Sequence, residues 1–182
     1  MNLLCENAPD FLTVGGKKLK INTDFSVWIR FLTAFETNDV LRLENSLVEI
    51  FGKIPDTSSF DEIITAMRDW LNLTDEKAFK TGQACAPCLS FCYDGNLIYA
   101  ELWKYFPDMM KRGLTYQEGI ELVNLILCDD KTMLWHRAFA RSGDFSQFPK
   151  EQKRYWEKER AKYKLPSKAN QQNTDDVLSS VF

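Results

Sequence analysis

The side chains whose spacing comes nearest to a reactive site are Cys85, Cys88 and Cys92. Cys85-Ala86-Pro87-Cys88 is a C-x-x-C pair, which closes a redox-active disulfide when a helix N-terminus stabilises its first thiolate. Its usual setting is a strand feeding a helix in a βαβ unit, and no such strand is legible here. Zinc is the other chemistry that three thiolates suggest. The fourth ligand would have to be Cys128 or His136, and no second C-x-x-C exists. The five cysteines are irregularly spaced and odd in number, and Cys85, Cys88 and Cys92 read as incidental thiols of a linker region. His136, between Trp135 and Arg137, has no Ser/Cys/Asp constellation pointing to it and reads as a structural histidine on a helix flank. Asp129-Asp130 suits capping of the next helix better than a divalent metal. Gly15-Gly16 lacks a G-K-[ST] continuation and is a turn.

A second kind of chemistry is electrostatic. Between Pro149 and Lys164 stand seven Lys/Arg against three Glu, interrupted by Tyr155, Trp156 and Tyr163. Basic side chains interleaved with aromatics can hold phosphates and stack on bases. Glu151, Glu157 and Glu159 dilute that field, and the whole chain carries 23 basic and 26 acidic residues for a formal charge of −3. The charge balance favours a solvated helix anchored by Trp156 over a nucleic-acid surface.

These residues need elements to position them. The 182 residues are 45 % apolar and 13 % aromatic, the composition of a folded globular chain. Its longest strongly apolar run, Leu122–Cys128, is far short of the ~20 residues of a membrane helix. With no secretory signal legible, a soluble protein in a reducing cytoplasm is expected. Phe11–Val14, Gly15-Gly16 and Lys17–Ile21 form a hairpin with Leu12 opposite Leu19, its two glycines supplying the positive φ of a type I′ turn. Asn22 and Thr23 cap a helix with Phe25, Trp28, Ile29, Leu32 and Phe35 at helical spacing. A second helix turns Val40, Leu43, Leu47, Ile50 and Phe51 inward before Gly52 and Pro55. Ser59–Glu62 is a capping box for a third, through Ile63, Ile64, Met67, Trp70 and Leu71.

Past a patternless stretch at 74–90, Asp94 stands as an N-cap ahead of Ile98, Tyr99, Leu102, Trp103, Tyr105 and Phe106, read as one broad apolar face. Pro107 ends or bends that helix. Thr115–Glu118 is a capping box for the next, with Ile120, Val123 and Leu127. Met133, Leu134, Trp135, Ala138 and Phe139 make another, which Gly143 closes. The expected architecture is mainly α: a helical bundle of about six to seven helices with an N-terminal β-hairpin. Its parts are 1–73 (hairpin plus three helices), a 74–90 linker, a 91–166 helical lobe and a flexible 167–182 tail.

The ordering of these motifs resembles a known family. It comprises the hairpin, Ile21-Asn22-Thr23-Asp24-Phe25 opening an aromatic helix, Tyr93-Asp94 followed by Ile98-Tyr99-Ala100, the helix around Leu134–Phe139, and a Tyr155–Lys164 helix ending in Leu165-Pro166. Over about residues 11–166 this resembles the tail assembly chaperones of siphophages and prophages, small proteins encoded between the major tail protein and the tape-measure protein. The chain departs from that pattern at Trp135, where His136 follows instead of a second tryptophan. The resemblance implies a non-enzymatic, cofactor-free chaperone in the bacterial host cytoplasm. It would bind the tape-measure protein and other tail assembly proteins, keeping the former soluble while the tube polymerises. Adaptable Met and aromatic residues suit a groove for a long amphipathic helix, and Trp103, Tyr105, Met109, Trp135 and Trp156 are the candidate contacts. Copies of the chain could self-associate along such a partner. The rival expectations are a zinc- or thiol-dependent protein centred on Cys85, Cys88 and Cys92, and a nucleic-acid accessory protein using helix 150–164.

Overall fold

The computed structural model describes residues 8–53, 60–71 and 88–166. In chain order the elements are β1 (Phe11–Val14), β2 (Lys17–Lys20), α1 (Phe25–Thr37), α2 (Val40–Phe51), α3 (Phe60–Leu71), α4 (Phe91–Tyr105), α5 (Pro107–Arg112), α6 (Tyr116–Leu127), α7 (Met133–Ser142) and α8 (Lys150–Tyr163). The chain is therefore mainly α with an N-terminal hairpin. The eighth helix beyond the expected count is short α5, which Pro107 starts where it stops α4. The lead-in at 1–7, Pro55, the Ser59 cap, Cys85 with the linker up to 87, and the 167–182 tail lie outside the described residues. Two compact units emerge: residues up to Leu71 together with 112–121, and residues 88–111 together with 122–166.

In the first unit the hairpin has the expected register, Leu12 opposite Leu19, with Gly15 and Gly16 at φ 54° and 77°. Leu12, Val14 and Ile21 are buried, and the lysines of β2 face water. The Ile21 N–H continues the pairing by donating to the Asp10 carbonyl at 2.8 Å. α1 starts one residue later than the Asn22-Thr23 pair suggests. Asp24 is its N-cap, its Oδ1 accepting the Ser26 N–H at 2.8 Å. Asn22 and Thr23 have other work: Asn22 Oδ1 accepts the Asp24 N–H, and the Thr23 carbonyl accepts the Tyr116 N–H at 2.7 Å.

The buried face of α1 is Val27, Trp28, Phe31 and Ala34. Phe25, Ile29 and Leu32 are half-buried, and Phe35, expected inward, is exposed. Apolar residues all round this helix leave the three-to-four spacing without a unique solution. α2 buries Leu43, Ser46, Leu47 and Ile50 and ends at Gly52, whose φ of 75° is the left-handed C-cap foreseen for it. α3 contributes Ile63, Met67 and Trp70.

These faces meet at Trp28, which has no exposed surface. Its ring stacks on Trp70 at 4.3 Å and leans against Tyr116 at 5.9 Å. Both indole N–H groups are satisfied by carbonyls, Trp28 by Asn22 at 2.7 Å and Trp70 by Pro9 at 2.8 Å, so the aromatic core strands no donor. Residues 112–121 join this unit through a short antiparallel bridge in which the Phe25 N–H donates to Leu114. The capping box at the start of α6 forms as read: the Thr115 N–H donates to Glu118 at 3.0 Å and the Glu118 N–H to Thr115 Oγ1 at 3.3 Å.

In the second unit Ile98 and Leu102 of α4, Leu122, Val123 and Ile126 of α6, and Leu134, Ala138 and Ala140 of α7 are buried. Thr132, not Asp129-Asp130, caps α7, its Oγ1 accepting the Trp135 N–H at 3.1 Å. The Asp129 carboxylate is taken locally by the Lys131 N–H at 3.0 Å. Gly143 follows α7 with φ −63°, an extended rather than left-handed exit. Among the described residues no helix is long and apolar enough to cross a membrane.

Two glycines give opposite expectations. A Cβ on Gly119 would overlap the Phe25 ring, whereas one on Gly95, inside α4, meets nothing within 4 Å. Gly119→Ala is expected to destabilise by about 1–3 kcal/mol through overpacking. Gly95→Ala is expected to stabilise by up to about 1 kcal/mol through helix propensity. Urea denaturation of both variants reads the two signs.

Candidate functional site

α4 opens with Ser90 as its N-cap, Oγ accepting the Tyr93 N–H at 3.2 Å. Asp94 is therefore not the cap but sits inside the first turns, with no exposed surface. A local reading could not find its partners, because they lie 43 and 47 residues away on α7. Arg141 grips Asp94 with both ends of its fork, Nη1 to Oδ2 at 2.5 Å and Nη2 to Oδ1 at 3.0 Å. Arg137, one helical turn earlier, donates to Oδ1 at 2.9 Å, and the Ser90 N–H completes the set at 3.0 Å. Arg141 has further partners, donating to the carbonyls of Cys88 at 3.1 Å and Tyr163 at 2.6 Å. One guanidinium thus ties together the lead-in to α4, α4 itself and the last turn of α8. Burial pushes the Asp94 carboxyl upward, but the hydrogen bonds from Arg141, Arg137 and the Ser90 N–H outweigh it and hold it below the ordinary carboxylate value.

Turning Asp94 inward fixes the rotation of α4. Asp94, Ile98, Glu101 and Leu102 form the buried stripe, and Glu101 reaches the start of α7, its Oε1 accepting the Met133 N–H at 3.1 Å. The opposite face carries Tyr93 (55 % exposed), Tyr99 (58 %) and Trp103 (36 %). Tyr99 and Trp103 meet edge to face at 6.3 Å, with the smaller Cys92, Asn96 and Ala100 exposed among them. The single broad apolar face expected of this helix is instead two faces, one buried and one bare. Tyr93 and Tyr99 are the contact candidates that spacing missed. The available signal was that aromatic residues surround α4, so burying one side must expose another.

The other candidates scatter. Tyr105, beside Lys104, is exposed, and Met109 is half-buried on α5. Trp135 and Trp156 are packed within the unit: Trp135 stacks on Phe139 at 4.7 Å, and Trp156 lies between Phe139 at 4.9 Å and Phe145 at 5.8 Å. His136 lies on a helix flank, with Nε2 3.0 Å from the Tyr155 hydroxyl and its ring against Trp156.

Of the cysteine set, Cys85 lies outside the described residues, Cys88 is half-buried and Cys92 is exposed. Burial raises the Cys88 thiol above its ordinary value despite its hydrogen bonds and the Arg141 charge, the reverse of an activated thiolate. No group of three His, Cys, Asp or Glu able to hold a metal occurs among the described residues. On α8, Arg160 is committed to the carbonyls of Ala140 (3.0 Å) and Gly143, and Lys162 lies 3.6 Å from Glu159. The basic stripe is shortened accordingly. Compared with known proteins, the chain matches no family model, no curated protein and no solved structure.

Asp94 gives an acid-stability prediction. A carboxyl lowered by folding contributes stability above its unfolded value near 3.9, and that contribution disappears as pH falls through the folded value. Glu118 and Asp144 are lowered too, so the difference between wild type and Asp94→Asn is what isolates Asp94. Asp94→Asn should be less stable by about 3 kcal/mol at pH 7, with the gap closing as pH falls below the ordinary carboxylate range. Urea titrations across that range check this.

Proposed function

We propose that the protein is a non-enzymatic tail assembly chaperone that holds a phage tape-measure protein soluble in the host cytoplasm. The observation that carries this reading is the bare aromatic face of α4: Tyr93, Tyr99 and Trp103 point away from the unit that positions them. Large rings that combine an apolar body with a polar tip are enriched where one protein grips another. A helix presenting Tyr99 and Trp103 one turn apart matches the i, i+4 anchor spacing of an amphipathic partner helix. The motif order over 11–166 supports the choice of client, because the family it resembles serves a long, largely helical tape-measure protein. In this reading Trp103 and Tyr99 are the central anchors, Tyr105 and Met109 extend the surface, and Trp135 and Trp156 stiffen the scaffold behind it.

The test is co-expression with the tape-measure protein of the same phage, then pull-down and size exclusion in reducing buffer with chelator. The client should co-elute with wild-type protein. Tyr99→Ala/Trp103→Ala should weaken capture by at least about 10-fold, since truncating central aromatic anchors typically costs about 2 kcal/mol each. Tyr99 is 58 % exposed and Trp103 36 %, so losing the Trp103 ring costs some packing, and urea denaturation of the same variant separates that cost from lost capture. A client that aggregates equally with and without the protein would overturn the proposal. Loss of fold on adding chelator alone would favour the zinc-dependent reading.

A further inference from the structure

Helices that pair side by side place their contact residues at alternating intervals of three and four. The bare side of α4 has that spacing. Cys92, Asn96, Tyr99 and Trp103 are all exposed, at intervals of four, three and four residues. Tyr93 and Ala100, also exposed, run along one flank of this seam. α4 carries two acids, Asp94 and Glu101, and both are turned inward. The outward face therefore holds no acid, and its lysine, Lys104, stands at the C-terminal end. Large and small side chains are distributed along this face so that it complements itself. In an antiparallel pair whose two-fold axis passes between Asn96 and Tyr99, Trp103 of one copy lies over Cys92 of the other. Tyr99 then meets Asn96, whose amide can bond the phenol hydroxyl, and on the flank Tyr93 covers the small Ala100. A parallel pair sets each position against itself, crowding Trp103 on Trp103 at one end and leaving Cys92 on Cys92 underfilled at the other.

We propose that two copies of the chain associate through α4 as an antiparallel, two-fold symmetric helix pair. Charge agrees with this direction, because antiparallel packing sends the two Lys104 side chains to opposite ends and opposes the two helix dipoles. The three rings and their small neighbours cover roughly 400 Å² per copy, about half of what a standard interface takes from each partner. The dimer is therefore a reversible one, present at high concentration and dissociating on dilution. A second copy and a client helix would compete for the same rings, so self-pairing keeps the aromatic face covered until a client displaces it. The pairing shares this face with the chaperone reading but needs no client, so either can fail alone.

The experiment is sedimentation velocity of the full chain, without client, in reducing buffer. From about 5 to 500 μM the monomer should give way to dimer, as an interface below standard size requires. Ala100→Glu puts a charge beneath the opposing Tyr93 ring at an exposed helix position. It should weaken association at least about 10-fold with helix content unchanged by circular dichroism, whereas Ala100→Ser, still small, should stay within about 2-fold of wild type. Direction is read by disulfide trapping between chains that each keep a single cysteine. A chain with Cys92 alone should crosslink to a Cys92→Ser/Trp103→Cys chain faster than to itself. Antiparallel pairing holds the two Cys92 residues about 16 Å apart along the axis, beyond disulfide reach. A monomer at every concentration, a dimer indifferent to Ala100→Glu, or faster trapping of Cys92 with itself would overturn the proposal.

Discussion

A carboxylate with no exposed surface, gripped by two arginines one helical turn apart, is the constraint from which the second unit follows. Burying a lone charge costs several kcal/mol, so Asp94 can occupy the interior only where Arg137 and Arg141 already meet it. That requirement sets which side of α4 faces inward. It also sets the register of α7, because two cations four residues apart must both reach the same group. Arg141 passes the constraint on to the end of α8 through the Tyr163 carbonyl. The bare face of α4 is then a consequence: once Asp94, Ile98, Glu101 and Leu102 are inside, Tyr93, Tyr99 and Trp103 have nowhere to go but out.

The first unit is organised by a different force. Trp28 is enclosed by Trp70, Tyr116 and Phe31, and the hairpin supplies Leu12 and Val14 to the same cluster. The hairpin is too small to persist alone, and its apolar face gains stability only against this core. Gly119 is where the arrangement is least forgiving, because the Phe25 ring occupies the space where a side chain would stand. One unit is thus specified by ring packing and a missing Cβ, the other by a polar network with every acceptor on Asp94 engaged. The buried Glu101 is less complete: its Oε2 has no hydrogen-bond partner among the described residues.

What was legible in the chain beforehand was local. The Gly15-Gly16 turn fixes the pairing of Leu12 with Leu19 within eight residues, and Thr115–Glu118 closes its own box within four. Pro107 breaks α4 by its ring alone. What escaped was decided at a distance. Asp94 has the composition of an N-cap, and only Arg137 and Arg141 make it a buried anchor. Asn22 and Thr23 lost the cap of α1 to Asp24, with the Thr23 carbonyl engaged by Tyr116 far along the chain. Trp103 and Tyr105 could be named as candidate contacts from residue type, but the exposure of Tyr99 and Tyr93 needed the rotation of the helix, which no spacing rule supplies when apolar residues occupy every side.

The most direct test of this account is a double-mutant cycle on Asp94→Ala and Arg141→Ala, read by urea denaturation at pH 7. If the buried pair sets the arrangement of α4, α7 and α8, each single change should be severe. The double variant should then be far less destabilised than their sum, with a coupling of about 2–3 kcal/mol. Additive effects, with a coupling near zero, would mean that the apolar contacts alone orient α4. The exposure of its aromatic face would then owe nothing to Asp94.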